Sequence, residues 1–187
     1  MGTAHVFFCK GITPDTASSL IHACRCLIGE VDPQGALLWD HLSVAISSGG
    51  GDIGGAFAMF NELKGMKTRV TTHNAGAVDS AAIMPFMAGS RRSACAGSAF
   101  FFHELHWQFP AQGNLTMSSI TDATKWLGRY EDLMAENIAD RTALKKDEVL
   151  KLMRDGTSVR PEQALEWGLI HEIAELATPR GARTWQA

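Results

Sequence analysis

The sequence predicts an α/β domain built on a mostly parallel sheet. Two observations carry this reading. Short apolar runs alternate along the chain with stretches whose apolar residues recur at helical spacing. The richest glycine cluster, at 48–55, stands where one such run hands over to a helix. If the crossovers are right-handed, that loop and a later serine turn fall on one edge of the sheet.

The elements follow in order. Ala4–Cys9 (AHVFFC) reads as a short buried strand. Thr13-Pro14-Asp15 starts a helix: threonine caps, proline fits the first turn, and aspartate complements the dipole. Ala17, Leu20, Ile21, Cys24 and Ile28 give that helix one apolar stripe. Residues 29–40 hold Asp32-Pro33 and Gly35 and read as a loop, with Leu37, Leu38 and Trp39 expected to pack back on the domain. Leu42–Ser47 is a second strand, Ala56–Gly65 a helix with Phe57, Phe60 and Leu63 inward, and Thr68–Thr72 a third strand. Ala75–Ser80 reads as a turn, Ala81–Gly89 as a short apolar helix, and Arg92–Cys95 and Ala99–His103 as two more strands. Leu105–Leu115, with Pro110 and Gly113, is irregular. Ser118–Arg141 is a long helix whose Ile120, Ala123, Leu127, Tyr130, Met134 and Ile138 form a narrow stripe suited to another helix. Leu144–Met153 and Pro161–Trp167 are helices, the latter stopped by Gly168, and Leu169–Ile173 is a last strand or turn.

The chain has 187 residues, which suits a single domain over 1–187. A net charge of −3, from 17 basic and 20 acidic residues without blocks of like charge, lacks the footprint of a nucleic-acid binder. No apolar run is long enough to span a bilayer, and the first residues lack the pattern of a signal peptide. Cys9, Cys24, Cys26 and Cys95 suggest no disulfide framework. Cys24 and Cys26 lie two apart on a helix and face different ways, so no metal site is expected, and the four read as buried reduced thiols of a cytoplasmic protein. No cofactor is implied.

Three features point to chemistry. Ser80 follows Gly76 in a small-residue turn at the start of a helix, where N–H groups point at developing negative charge. Taken alone, such a serine is more often a helix cap. His103 ends the apolar run Ala99–Phe102, at the end of a strand where α/β proteins place ligand-facing groups, although an isolated histidine there is more often bonded to backbone. Gly49-Gly50-Gly51 follows a strand, and glycines let backbone N–H groups come close to a ligand.

Four segments in register make a specific resemblance. Residues 46–53 (ISSGGGDI) resemble the I-N-S-P-G-G-S-V segment of the Clp protease proteolytic subunit, and residues 76–81 (GAVDSA) its G-x-A-A-S-M nucleophile motif. Residues 98–103 (SAFFFH) resemble its S-x-x-M-x-H strand, and Arg154-Asp155 with 161–170 (PEQALEWGLI) its C-terminal block. The resemblance spans about 4–173 and implies the ClpP/crotonase fold of repeated β-β-α units, with 118–141 as a protruding handle helix. It implies a serine endopeptidase in which Ser80 is the nucleophile, His103 the general base and Asp155 the acid that orients it. Gly51 and Ala81 would supply the oxyanion-hole N–H groups, each worth about 3 kcal/mol in the transition state. Residues 51–55 would pair with an extended peptide, making Gly50, Asp52, Ile53 and Gly54 substrate-binding residues. Peptides or unfolded proteins are the implied substrate, and a homo-oligomeric ring, heptameric and paired face to face through the handle, the implied assembly.

The sequence departs from the family at several points. Gly49 stands where the family has proline, Asp79 where it has a small neutral residue, and His106 and Trp107 where it has Q-P. Asp79 beside the nucleophile would raise the pKa of the histidine, repel the oxyanion, or point away. The chain begins almost at the first core strand, so the segment that meets the ATPase ring has no counterpart and partnership with a Clp-type ATPase is not carried over. Three other readings remain: an acyl-CoA-handling protein of crotonase type, a non-catalytic or accessory ring subunit, and a serine–lysine enzyme using Lys125.

Overall fold

The computed structural model describes residues 2–107 and 116–187. One eight-stranded sheet organises them. Its main path runs β6 (Thr157–Val159), β5 (Ala99–Phe102), β3 (Arg69–Asp79), β2 (Trp39–Ser48), β1 (Gly2–Phe8) and β8 (Thr184–Gln186), and β4 (Arg91–Ala94) joins β3 to β7 (Glu172–Ile173). Every pairing is parallel except β5 with β6. Helices α1 (Pro14–Ile28), α2 (Ile53–Gly65), α3 (Ile83–Met87), α4 (Met117–Ala139), α5 (Lys146–Arg154) and α6 (Pro161–Glu166) fill the connections, as alternating strand and helix patterns require.

Local chemistry sets the element ends. Thr13 caps α1 through a reciprocal capping box with Thr16, and the buried side of α1 is Ala17, Leu20, Ala23, Cys24 and Leu27. Of the three apolar residues expected to pack back, Trp39 opens β2, packs on the core and bonds Glu30, whereas Leu37 and Leu38 stay exposed. Asp52 caps α2 by accepting from the Gly55 N–H at 2.6 Å, so α2 begins at Ile53, three residues earlier than its apolar pattern suggests. Cys24 is buried and its thiol pushed up to about 12, Cys95 is half-buried, and Cys9 and Cys26 are exposed, so the expectation of four buried thiols holds fully only for Cys24.

The largest correction concerns β3. Residues 75–80 read as a turn, yet the strand runs on through Asp79. Its first half pairs with β4, Thr71–Asn74 against Arg91–Ala94; its second half pairs with β5, Ala77–Asp79 against Ala99–Phe101. The buried Asn74 joins the halves: its Nδ2 donates to the Ala99 carbonyl at 2.8 Å and its Oδ1 accepts from the Gly76 N–H at 3.0 Å. Glycine and alanine mark the bend between two ladders. The short strands β6 and β8 have no counterpart in the sequence pattern.

The long helix α4 starts at a capping box formed by Thr116 and Ser119. Its buried residues lie mainly toward its end, Met134, Ala135 and Ile138, with Ala123 before them, whereas Met117 and Ile120 are exposed. Residues 105–107 carry no regular structure, and 108–115 of the expected irregular segment, with Pro110 and Gly113, lie outside the described residues. No helix among the described residues is long and apolar enough to cross a membrane.

A buried arginine ties the C-terminal part to the sheet. Arg92 on β4 is only 4% exposed and donates to the carbonyls of Leu169 (2.7 Å), Gly168 (2.8 Å), Arg141 (2.8 Å) and Gly89 (3.2 Å). Burial draws its guanidinium down to about 10, and the charge of Arg141 adds to the effect. The planar fork reaches four carbonyls from three separate nitrogens, a spread that a single ammonium nitrogen cannot match. Arg92→Met is therefore expected to cost about 3 kcal/mol or more of unfolding free energy in urea titrations, with Arg92→Lys recovering less than half. A loss within error of zero would show that these carbonyls are satisfied without it.

Candidate active site

The site grows from the end of β3. Asp79 is extended, and Ser80 then turns to a φ of +55°, the only non-glycine residue with positive φ among those described. A tight 3-10 turn, Ser80–Ala82, leads into α3. Such a backbone costs a side-chain-bearing residue roughly 1–3 kcal/mol and persists only where the surroundings impose it. Sharp strand-to-helix turns of this kind hold a serine hydroxyl clear of its own backbone.

The glycine loop imposes the turn. Gly50, at φ +86°, lies against it so closely that a Cβ there would sit 2.8 Å from the Asp79 carbonyl oxygen, 2.9 Å from Ser80 Cβ and 3.1 Å from the Ala81 nitrogen. Gly51, at φ +139°, is held against Ile12: the Ile12 N–H donates to Gly50 O at 2.8 Å, and the Asp52 N–H donates to Ile12 O at 2.9 Å. The Gly51 N–H takes part in neither bond. The candidate oxyanion donors are Gly51, next after Gly50 in the loop, and Ala81, next after Ser80 in the turn.

His103 is the first residue after β5. Its Nδ1 lies 2.6 Å from the Glu104 carbonyl. A carbonyl only accepts, so in the neutral ring Nδ1 carries the proton and Nε2 the lone pair, the tautomer a general base needs. The ring lies 5.4 Å from that of Phe101 and stacks on His106 at 5.8 Å. Ser80 and His103 face one cavity of about 570 Å³, floored by residues 49–51 with Asp52 and Ile53 and walled by Leu105, His106, Trp107 and Trp126. The wall continues as an aromatic chain, Trp107 to Trp126 at 5.0 Å, Trp126 to Tyr130 at 4.4 Å, and Tyr130 to Phe57 at 5.3 Å.

A family model described as Clp protease matches residues 2–177. The chain belongs to the Clp protease family. Among solved structures it is similar to a ClpP1 mutant from Listeria monocytogenes, with a TM-score of 0.77 and 20% identity over 92% of this chain and 91% of that one. The α/β sheet with its helices is thus the ClpP fold.

The residues singled out by Clp protease motifs fall into two groups. Ser80, His103, Gly50, Gly51, Asp52 and Ile53 meet at the cavity, and Ala81 lies beneath it. Asp155 and Gly54 do not line it, nor does the exposed Lys125. Asp155 caps the end of α5, where its half-exposed carboxylate is ion-paired with Lys151 one turn earlier. Among the described residues no hydrogen bond joins Ser80 to His103, or His103 to Asp155. The expected extended stretch 51–55 is also corrected. From Ile53 it is helical, because Asp52 caps α2, and Ile53 is buried. Within 51–55, only Gly51 and Asp52 are left as non-helical backbone at the cavity.

The tryptophan wall has no signal in the sequence. Trp126 lies off the stripe read along α4, and Trp107 precedes the segment that is not described. Asp79 stands out in the sequence only as a departure from the family. Burial raises its carboxyl above the ordinary value, opposed by the Phe101 backbone N–H and by the charge of His103. A carboxyl raised in the folded state binds its proton more tightly there than in the unfolded chain. Its destabilising effect is absent below the ordinary carboxylate range, grows as pH rises through the raised value, and is complete above it. Asp79→Asn should therefore melt higher than the unsubstituted protein at pH 7, with the difference closing below the ordinary carboxylate range. Thermal melts across that range check this, and melting temperatures that Asp79→Asn leaves unchanged at every pH would contradict it.

Proposed function

We propose that this chain is a serine endopeptidase whose nucleophile is Ser80 and whose general base is His103. The observation that supports the reading is the meeting of a strained serine turn, the His103 ring and the glycine loop 49–51 at one cavity. In the reaction, Ser80 Oγ bonds to the scissile carbonyl carbon while its proton passes to His103 Nε2. The carbonyl oxygen becomes an oxyanion held by the Gly51 and Ala81 N–H groups. As the C–N bond breaks, the imidazolium gives its proton to the leaving amine. Water then repeats the sequence on the acyl ester and frees the serine.

A peptide lies along Gly50–Asp52, with an apolar or aromatic side chain against Trp107 and Trp126. The exposed start of α4, with Met117 and Ile120, supports its use in contacts between subunits of a homo-oligomeric ring. A second reading, a ring subunit kept for assembly, draws on the lack of a Ser80–His103 hydrogen bond among the described residues. Catalytic hydrogen bonds commonly tighten only when substrate binds, so the peptidase reading is preferred.

A fluorophosphonate probe separates the two. The assembled protein should be labelled at one residue, located at Ser80 by peptide mass spectrometry. Ser80→Ala should lose labelling entirely, and His103→Ala should slow it by about a thousandfold or more. An assembled, folded protein that takes no label would sink the peptidase reading in favour of the assembly subunit.

A further inference from the structure

A serine–histidine pair needs a negative group to stabilise the imidazolium that forms when the serine gives up its proton. The acid that family resemblance assigns, Asp155, is turned to Lys151. The other acids near the cavity are engaged as well. Asp52 accepts from the Gly55 N–H as the cap of α2, and Glu131 accepts from the Leu105 N–H at 2.9 Å. Glu104 is exposed and meets His103 only through its backbone carbonyl. His106, stacked on His103, offers no negative charge.

Asp79 also accepts a backbone N–H, that of Phe101, but unlike these acids it sits in the ladder of the histidine's own strand. In the parallel ladder of β3 with β5 it pairs with Phe101, and across the antiparallel ladder Phe101 pairs with Ser158. Paired residues in a sheet share a face, and side chains alternate with a period of two. Asp79, Phe101 and the continuation to His103 therefore lie on one face, while Val78, Phe100 and Phe102 are buried on the other. The Phe101 and His103 rings, 5.4 Å apart, bear out this parity. Asp79 is half-buried, and among the described residues no lysine or arginine forms an ion pair with it. Burial raises its carboxyl, and the Phe101 N–H and a charge on His103 each oppose that rise.

We propose that the carboxylate serving His103 in this chain is Asp79, the residue directly before the nucleophile, and not an acid at the end of α5. The proposal rests on the Ser80–His103 reading and assigns the remaining role within it. Asp79 is a positioning residue: it touches neither substrate nor reacting atoms, and acts by favouring the protonated imidazole. The Glu104 carbonyl fixes the tautomer, and Asp79 supplies the charge.

Two readouts test this, one independent of activity. In the Ser80→Ala protein, the His103 ring is titrated by NMR with and without Asp79→Asn and with and without Asp155→Asn. Removing the Asp79 charge is expected to lower the His103 midpoint by about one pH unit. In the active protein, Asp79→Asn is expected to lower kcat on a fluorogenic peptide by about 100-fold or more, with little change in KM, and to shift the acid limb of the pH–rate profile the same way. Asp79→Glu should recover part of both and covers the case of an asparagine variant that misfolds. The proposal is overturned if Asp155→Asn, and not Asp79→Asn, moves the His103 midpoint, or if Asp79→Asn lowers kcat with the midpoint and acid limb unmoved. An unsubstituted protein without hydrolysis or probe labelling, but with an Asp79-dependent His103 titration, would overturn the peptidase reading while upholding the pairing.

Discussion

The close approach of Gly50 to the Ser80 turn is the constraint on which the rest of the site depends. No side chain fits between the two backbones: a single methyl at Gly50 would press into Asp79, Ser80 and Ala81 at once. That contact holds Ser80 at a positive φ that a serine would otherwise leave, and keeps the Gly51 and Ala81 N–H groups beside it. Gly51 is fixed in turn by Ile12, whose N–H and carbonyl bind the loop on both flanks. Ile12 lies between β1 and α1, so the start of the chain takes part in shaping a turn that lies far along it. The strain is stored at the proposed nucleophile, and the buried sheet beneath offsets it.

The same constraint explains why charge beside the nucleophile is tolerated. Asp79 is the last residue of β3, and its direction is set by the β5 ladder rather than by the turn that follows. It therefore faces the Phe101 side of the sheet. The N–H groups of Gly51 and Ala81, the proposed oxyanion donors, belong to the loop and to the turn. In the proposed mechanism one residue of chain separates the Asp79 carboxylate from the oxyanion it would repel, and the positive φ of Ser80 turns the chain between them.

Much of this is legible in the sequence, and the parts that are not have physical reasons. The strand and helix periods carry the α/β class, and the four segments in register bring Ser80, His103 and the glycine loop together. Local patterns fail where tertiary pairing overrides them. Residues 75–79 look like a turn because they are small, yet small residues are also what a strand needs when it bends from one partner to another, and Asn74 holds that bend from within the core. The start of α2 is hard to place because glycines at 54 and 55 hide a helix that Asp52 caps. The Asp155 carboxylate cannot be followed from sequence because its direction depends on Lys151 one helical turn away, a pairing with no motif. Trp126 is hidden for a simpler reason: a residue beside the apolar stripe of a helix reads as solvent-facing until a neighbouring segment gives it a cavity to line.

The division of labour around His103 follows from what each oxygen can do. In a triad, one carboxylate both orients the imidazole and stabilises its charged form. Orientation needs only an acceptor with fixed geometry, which the Glu104 carbonyl supplies at 2.6 Å on Nδ1. Charge stabilisation needs a negative group in a partly dry setting but no contact with a particular nitrogen, because electrostatic attraction falls slowly with distance where water is scarce. A carboxylate half-buried on the same face of the sheet meets that need, and burial strengthens its hold on the cation by removing competing solvent. Once the two tasks are separated, the acid no longer has to come from one fixed place at the end of α5. It can come from any strand position sharing the histidine's face, and the position directly before the nucleophile is one that the parallel β3–β5 ladder provides.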